Sequence, residues 1–228
     1  MQQDFWVNEH PADEFGCRLL NSWKVQDASI SRTFLQGQNC TAFTVFGSGT
    51  GLKTISLPVN IFGSSPMDAT EKHSNLTAVL LNGIVELQLP DGFVYRAALS
   101  SSGTSHALTQ DGCMLSCEYT LMGMRCKHLQ TIVAKGPVFI QGNHPQMDCR
   151  ITTTVGKTSE QYTMAGITWK NVQTGDVLVV DGIEKKLVKN GKNAALSNNA
   201  FEWVKLHPNE NILQAPDPLT IEYYPTYL

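Results

Sequence analysis

Six histidines stand at positions 10, 73, 106, 128, 144 and 207, and six cysteines at 17, 40, 113, 117, 126 and 149. Imidazoles and thiolates are the usual zinc ligands, and both uses depend on close spacing. No His-x-His, His-x-x-x-His or Cys-x-x-Cys occurs here, so neither a metal nor any other cofactor is expected. Gly47-Ser48-Gly49-Thr50-Gly51 sets its serine one position too early for a nucleophile elbow. It also lacks the Gly-Lys-Ser/Thr ending of a phosphate loop. It reads as a flexible turn between strands over residues 41–46 and 53–61. Glycoside hydrolysis needs two carboxyl groups flanking one bond. The acids here fall at turns (Asp91, Asp111, Asp181) or singly on polar strand faces (Glu86, Glu118, Glu222). No catalytic residue is assigned, and the chain does not read as an enzyme.

Trp169 and Trp203 are the side chains best suited to holding a sugar, because an indole offers a broad apolar face and one N–H. Against that, Phe201 and Trp203 share strand parity, which favours the core of a sandwich over a binding surface.

Composition narrows the classes further. The 228 residues carry 17 basic and 20 acidic side chains, a formal net charge of -3, with 42% hydrophobic and 16% charged residues. That is enough chain for one large β domain or two smaller ones, each able to bury a core without staples. A nucleic-acid binder needs a cationic surplus to displace counterions, and none is present. The start Met1-Gln2-Gln3-Asp4-Phe5-Trp6 has no basic stretch followed by an apolar region, and no apolar run approaches the roughly 20 residues that cross a bilayer. The expectation is a protein made in a cytoplasm, with no membrane partner and with reduced cysteines.

The elements that would position these groups are mostly strands. Ile55, Leu57, Val59 and Ile61 alternate with Thr54, Ser56, Pro58 and Asn60, a half-buried strand whose proline predicts an edge or bulge. Val85, Leu87 and Leu89 lead into Pro90-Asp91-Gly92, and Phe93, Tyr95, Ala97 and Leu99 lead out. Proline presets φ and glycine accepts positive φ, so this is a hairpin. Cys113, Leu115, Cys117, Tyr119 and Leu121 share one face of a further strand. Its two cysteines lie about 13 Å apart and are too distant to bridge.

Ser65-Pro66-Met67-Asp68 supplies an N-cap serine, proline at the first helical position and an acid two residues later. A helix of about 15 residues follows, ended near Gly83. Ala69, Leu76, Val79 and Leu80 form its buried side, while Asp68, Glu71 and Lys72 are expected on a solvated face. After Ala134-Lys135-Gly136-Pro137 come six shorter candidate strands, over residues 138–141, 150–155, 177–180, 183–188, 201–206 and 219–224. Asp181-Gly182 and Asn190-Gly191 suggest primed turns among them. The division expected is residues 1–134 and 135–228, both mainly β.

The arrangement resembles the distal tail protein (Dit) family of long non-contractile-tailed bacteriophages. In the first half the resemblance rests on Phe46-Gly47-Ser48-Gly49, on the helix, and on Val85-Glu86-Leu87-Gln88-Leu89-Pro90-Asp91-Gly92-Phe93-Val94-Tyr95. It continues through Cys117-Glu118-Tyr119 to Gly123-Met124-Arg125. In the second half it rests on Thr174-Gly175-Asp176-Val177, Asp181-Gly182, Val188-Lys189-Asn190-Gly191-Lys192-Asn193, Trp203, Leu206-His207-Pro208-Asn209-Glu210-Asn211 and Tyr223-Tyr224-Pro225. The resemblance implies an N-terminal β-sandwich belt domain with one α-helix, and a C-terminal galectin-like β-sandwich. It implies a structural virion protein of the tail tip that forms a homo-hexameric ring. Its implied partners are the tail tube protein above, and tail-tip hub, tail-associated lysin or receptor-binding proteins below, with DNA only as a passenger through the channel.

A ring subunit must bury surface against two neighbours. Residues 5–20 and 46–52 hold apolar side chains outside any clear core pattern, so Phe5, Trp6, Phe46 and Leu52 are the candidate interface residues. Two alternatives remain open at this level. One is a carbohydrate-binding module of the adsorption device, holding saccharide through Trp169 or Trp203, and the other is a tail-tube-like ring protein that stacks.

Overall fold

In Lys53–Phe62, Ile55, Leu57, Val59 and Ile61 are all fully buried while the intervening side chains lie on the other face of the sheet, as period-two alternation requires. This strand pairs along its length with Met114–Cys126, from Met114 opposite Phe62 to Gly123 opposite Lys53. A computed structural model of the chain describes residues 5–36, 38, 41–103, 105–194 and 202–228. They form two compact units, Met1–Arg125 with Leu228, and Cys126–Tyr227. The boundary precedes the crossing expected at Ala134-Lys135. The reason is that Gln130–Ala134 pairs in antiparallel fashion with Leu219–Tyr223 and belongs to the second sheet.

The sheet of the first unit runs in the order His10–Pro11, Trp6–Val7, Ile84–Gln88, Val94–Ser102, Met114–Cys126, Lys53–Phe62 and Cys17–Leu19. His106–Ala107 joins it on Met114–Cys126, and Lys24–Gln26 joins on Lys53–Phe62. The proline strand is therefore interior, and the expected edge position is corrected. Two short strands share its second side: Cys17–Leu19 covers Val59 to Ile61, and Lys24–Gln26 covers Thr54 to Ser56. Pro58 falls at the break between them. Its carbonyl accepts from the Leu20 amide at 3.0 Å, so its nitrogen, which points to the same side, faces the break where no donor is needed.

The Pro90-Asp91-Gly92 hairpin forms as expected, with Gln88 opposite Val94. Phe5, Val7, Leu87, Tyr95, Tyr119 and Leu121 join the central strand in one core, to which the helix adds Leu76 and Leu80. Each such branched or aromatic side chain contributes about 1.5–3 kcal/mol by leaving water.

That helix is Pro66–Leu81. The Ser65 hydroxyl accepts from the Asp68 amide at 3.2 Å, the expected cap. Asp68 is not on a free solvated face, however. Its Oδ2 accepts from the Ser64 amide at 2.6 Å, the Ser64 hydroxyl at 3.0 Å and the Lys72 ammonium at 3.0 Å. The Ser64 amide, with Lys72 next, holds this carboxyl down to about 2. A carboxyl depressed in the folded state contributes stability that is full above its ordinary value near 4 and is lost as pH falls through about 2. The difference in Tm between the wild type and Asp68→Asn is therefore expected to narrow between pH 5 and pH 2. A gap that stays constant across that interval would contradict the role given to the charge.

In the second unit the main sheet runs Gln130–Ala134, Leu219–Tyr223, Met147–Thr154, Val177–Asp181, Lys186–Lys189 and Lys192–Asn193, with Lys205–Leu206 on Met147–Thr154. Two-stranded ribbons are formed by Pro137–Ile140 with Asn209–Ile212, and by Ser159–Met164 with Ile167–Val172. The core gathers Ile151, Met164, Trp169, Leu178, Val180, Leu206, Ile221 and Tyr223. Asn190 (φ 50) and Gly191 (φ 76) make the two-residue primed turn expected of them.

Asp181-Gly182 does not make such a turn. Residues 182–185 form a four-residue turn ending in Lys185 at φ 57. The Asp181 side chain closes it by accepting from the Ile183 amide at 3.0 Å and the Glu184 amide at 2.9 Å, an aspartate's alternative to ladder pairing. The chain is thus mainly β in both units with a single α-helix among the described residues.

Candidate assembly surface

Ile30–Gln36 and Phe43–Thr50 pair only with each other among the described residues. Among the described residues, neither outer edge of this sheet carries a further strand. Every residue of Ile30–Gln36 is exposed. The apolar ones are far outside the usual interior preference: Ile30 is 65% exposed, Phe34 61%, Leu35 62% and Phe46 52%. An isolated two-stranded ribbon is at best marginal in water. One with open edges and exposed apolar side chains, Phe34 opposite Val45 and Phe46 opposite Thr33, is a template for another chain.

Local chemistry shapes this ribbon. Arg32 lies opposite Ser48 and Thr33 opposite Phe46, so Gly47 is the extra residue of a bulge. Its φ of 66 is the left-handed conformation that such a bulge takes with glycine. The stretch from Gly47 to Thr50, expected as a flexible turn, is thus strand, and the bulge twists it. At the root, the Gly51 amide donates to Ser29 O at 2.8 Å. Lys53 lies on the inward side of its strand with its side chain 3% exposed, and its ammonium donates to Asp27 Oδ1 at 2.9 Å. That hydrogen bond holds the Asp27 carboxyl below its usual range. Asp27 precedes the first ribbon strand and Lys53 follows the second, so the ion pair ties the two ends of the ribbon's base together.

Phe46 and Leu52 are exposed as an interface role requires, Leu52 at 47%. Trp6, 42% exposed, lies on the outer face of Trp6–Val7 in the main sheet. Phe5 is a correction. It is fully buried in the first core, because strand parity turns Phe5 and Val7 inward and Trp6 out. Four further exposed apolar residues of the ribbon were not among the candidates: Ile30, Phe34, Leu35 and Val45. The segment Ile30-Ser31-Arg32-Thr33-Phe34-Leu35 has no period-two pattern, since neither of its faces is buried. An apolar cluster without periodicity was the available signal.

Trp169 is 1% exposed and lies in the second core, so it cannot stack on a sugar and that assignment is withdrawn. Its strand, Ile167–Val172, was itself unforeseen. Trp203 is half-buried and precedes the short strand Lys205–Leu206. The Lys185 ammonium lies 5.7 Å from its ring centroid, and Phe201 and Cys40 lie outside the described residues. Several histidines are engaged locally: His10 with Glu14 at 2.8 Å, His207 with Pro145 O at 2.8 Å, and His73 stacked on Tyr119. Burial pushes the Cys17 and Cys149 thiols up to about 12, the behaviour of inert core thiols. Among the described residues no three His, Cys, Asp or Glu side chains gather as metal ligands.

No family model matches the chain, and no match was found among curated proteins. Solved structures do match. The Dit (gp 19.1) protein of phage SPP1, described as a paradigm of the hub adsorption apparatus in phages infecting Gram-positive hosts, is 15% identical with a TM-score of 0.68, covering 99% of both chains. A chain of the phage P2 baseplate in its activated conformation with Ca is 9% identical with a TM-score of 0.60, covering 92% of this chain and 90% of that one. The phage p2 baseplate activated with Sr gives 8%, 0.63 and 97% of each chain. Over nearly its whole length, then, the chain has the fold of a phage distal tail protein, the fold that the order of its turns and strands resembles.

Proposed function

We propose that the chain is a structural subunit of the tip of a long non-contractile phage tail, and that it closes with further copies of itself into a hexameric ring. One observation carries this reading: the exposed ribbon with two open edges and apolar side chains on a subunit of this fold. A heterologous contact repeated by rotation buries that surface on every copy at once. The ring joins the tail tube to the hub and receptor-binding proteins of the virion and leaves a channel through which DNA passes. Its contribution is mechanical and requires no bond chemistry.

The mass of the purified particle tests the proposal. Native mass spectrometry and light scattering should give six times the 25.1 kDa chain, and negative-stain images should show single rings with a central hole. Leu35→Asp and Phe46→Asp each bury a charge if the ribbon is an interface. Each is expected to raise the dissociation constant by about 100-fold or more without lowering Tm of the subunit. A monomer at all concentrations, or rings indifferent to both substitutions, would reject the reading. Stacks of open-ended length would favour a tail-tube-like protein instead.

A further inference from the structure

Five dipeptides set glycine directly after an asparagine or aspartate: Asn82-Gly83, Asp91-Gly92, Asp111-Gly112, Asp181-Gly182 and Asn190-Gly191. Glycine has no side chain to shield its nitrogen. That nitrogen can therefore reach the side-chain carbonyl carbon of the residue before it and close a five-membered ring. Whether it does depends on how firmly the side chain is held, and in four of the five it is held. Asp91 Oδ1 accepts from the Phe93 amide at 3.0 Å and its Oδ2 from the Tyr95 hydroxyl. Asp111 Oδ1 accepts from the Cys113 amide at 3.1 Å. Asp181 is fixed by Arg150 and two turn amides. Asn190 Oδ1 accepts from the Val177 amide at 2.8 Å, and its Nδ2 donates to Asp176 Oδ1 at 2.7 Å.

Asn82 differs. It caps the C-terminal end of Pro66–Leu81 at φ -79 and ψ 55, the conformation of an inverse γ-turn. The Gly83 amide closes that turn by donating to Leu81 O at 2.8 Å. The Asn82 residue is exposed, and its side chain makes no hydrogen bond among the described residues. At ψ 55 the Gly83 nitrogen points away from the Asn82 side chain, so ring closure first needs a rotation about the Cα–C bond of Asn82. That rotation breaks the one bond to Leu81 O, while strand pairing begins only at Ile84, opposite Ala98. The equivalent rotation at Asn190 must open a two-residue hairpin turn and give up both side-chain hydrogen bonds.

We propose that Asn82 is a site of spontaneous covalent modification, deamidating through a succinimide faster than any of the other four dipeptides. The Gly83 nitrogen gives its proton to hydroxide and attacks Asn82 Cγ. The new N–Cγ bond forms as the Cγ–Nδ2 bond breaks, and Nδ2 leaves as ammonia after taking a proton from water. A second water then opens the imide. Cleavage at Cγ gives aspartate, and cleavage at the main-chain carbonyl carbon gives isoaspartate, whose backbone runs through the side chain. No electrons change hands. Either product sets a carboxylate at the C-terminal end of the helix, where the dipole disfavours it, and between the exposed side chains of Leu81 and Ile84.

Peptide mass mapping tests it on the full chain, held at mildly alkaline pH in water enriched in heavy oxygen, folded in one sample and unfolded in guanidinium chloride in another. In the unfolded sample Asn82 and Asn190 should convert at similar rates, because their local sequences are alike. In the folded sample Asn82 should convert about tenfold faster or more, since only Asn190 gives up two side-chain hydrogen bonds to react. The Asn82 peptide should carry one heavy oxygen and accept a methyl group from an isoaspartyl methyltransferase. Asn82→Gln should leave the circular dichroism unchanged, because the side chain it replaces bonds nothing, and should remove that signal. Asp176→Asn loosens the Asn190 side chain and should speed its conversion in the folded chain. The proposal is overturned if Asn82 stays intact in the folded chain while the unfolded chain converts, or if any of the other four positions converts as fast as Asn82 does.

Discussion

Trp169→Ala is expected to lower the unfolding free energy of the second unit by about 3–5 kcal/mol. The indole is among the largest fully buried side chains and lies opposite Tyr162 in the ribbon that closes the second core. Removing it leaves a void that the neighbouring strands can fill only in part. Since a domain of this size is stable by about 5–15 kcal/mol, the loss should be plain in urea unfolding and in amide exchange of the second unit. The first unit, with its own core, serves as the internal reference. Trp169→Phe should cost only about 1–2 kcal/mol, because Nε1 is buried with no hydrogen-bond partner among the described residues and its removal offsets part of the lost packing. Should Trp169→Ala cost under about 1 kcal/mol, the indole does not carry the packing assigned to it.

The second large effect is predicted at Asp181. Its carboxylate is fully buried and accepts from Arg150 and from two turn amides. Asp181→Ala leaves those amides without an acceptor and the guanidinium without its buried partner, at an expected cost of about 3–5 kcal/mol. Asp181→Asn keeps an oxygen for the turn but sets an amide donor against Nε, so it should fall between. Arg150→Leu alone strands the carboxylate. The double variant Arg150→Leu with Asp181→Ala is expected to cost well under the sum of the two, since neither partner is then left behind. Additive losses in that cycle would mean the two side chains act separately.

The β class, the helix with its cap, and the Pro90-Asp91-Gly92 and Asn190-Gly191 turns were legible in the sequence because each is set by local chemistry. What the sequence concealed was set at long range. Pro58 marks an edge by local rules, yet it occupies an interior strand, because two separate short strands leave its nitrogen a gap. The Ser159–Met164 strand buries only Tyr162 and Met164 and is otherwise polar, so it gave no period-two signal. Trp169 read as a possible sugar platform because its strand, Ile167–Val172, was not foreseen, and without a strand there was no parity to say which way the indole faces. Of the candidate interface, Phe46, Leu52 and Trp6 are exposed and Phe5 is not. The larger part of the apolar surface, Ile30 to Leu35, followed no periodicity. A strand with neither face buried is not obliged to alternate.

The break opposite Pro58 has a practical consequence. Asn21 and Ser22 form an exposed turn between Cys17–Leu19 and Lys24–Gln26, and each of those strands is anchored to Lys53–Phe62 by its own bonds. Chain spliced in at that turn would interrupt no ladder and displace no buried side chain. An epitope or affinity tag placed there should leave the chain folded, giving a handle on the protein that does not depend on either terminus.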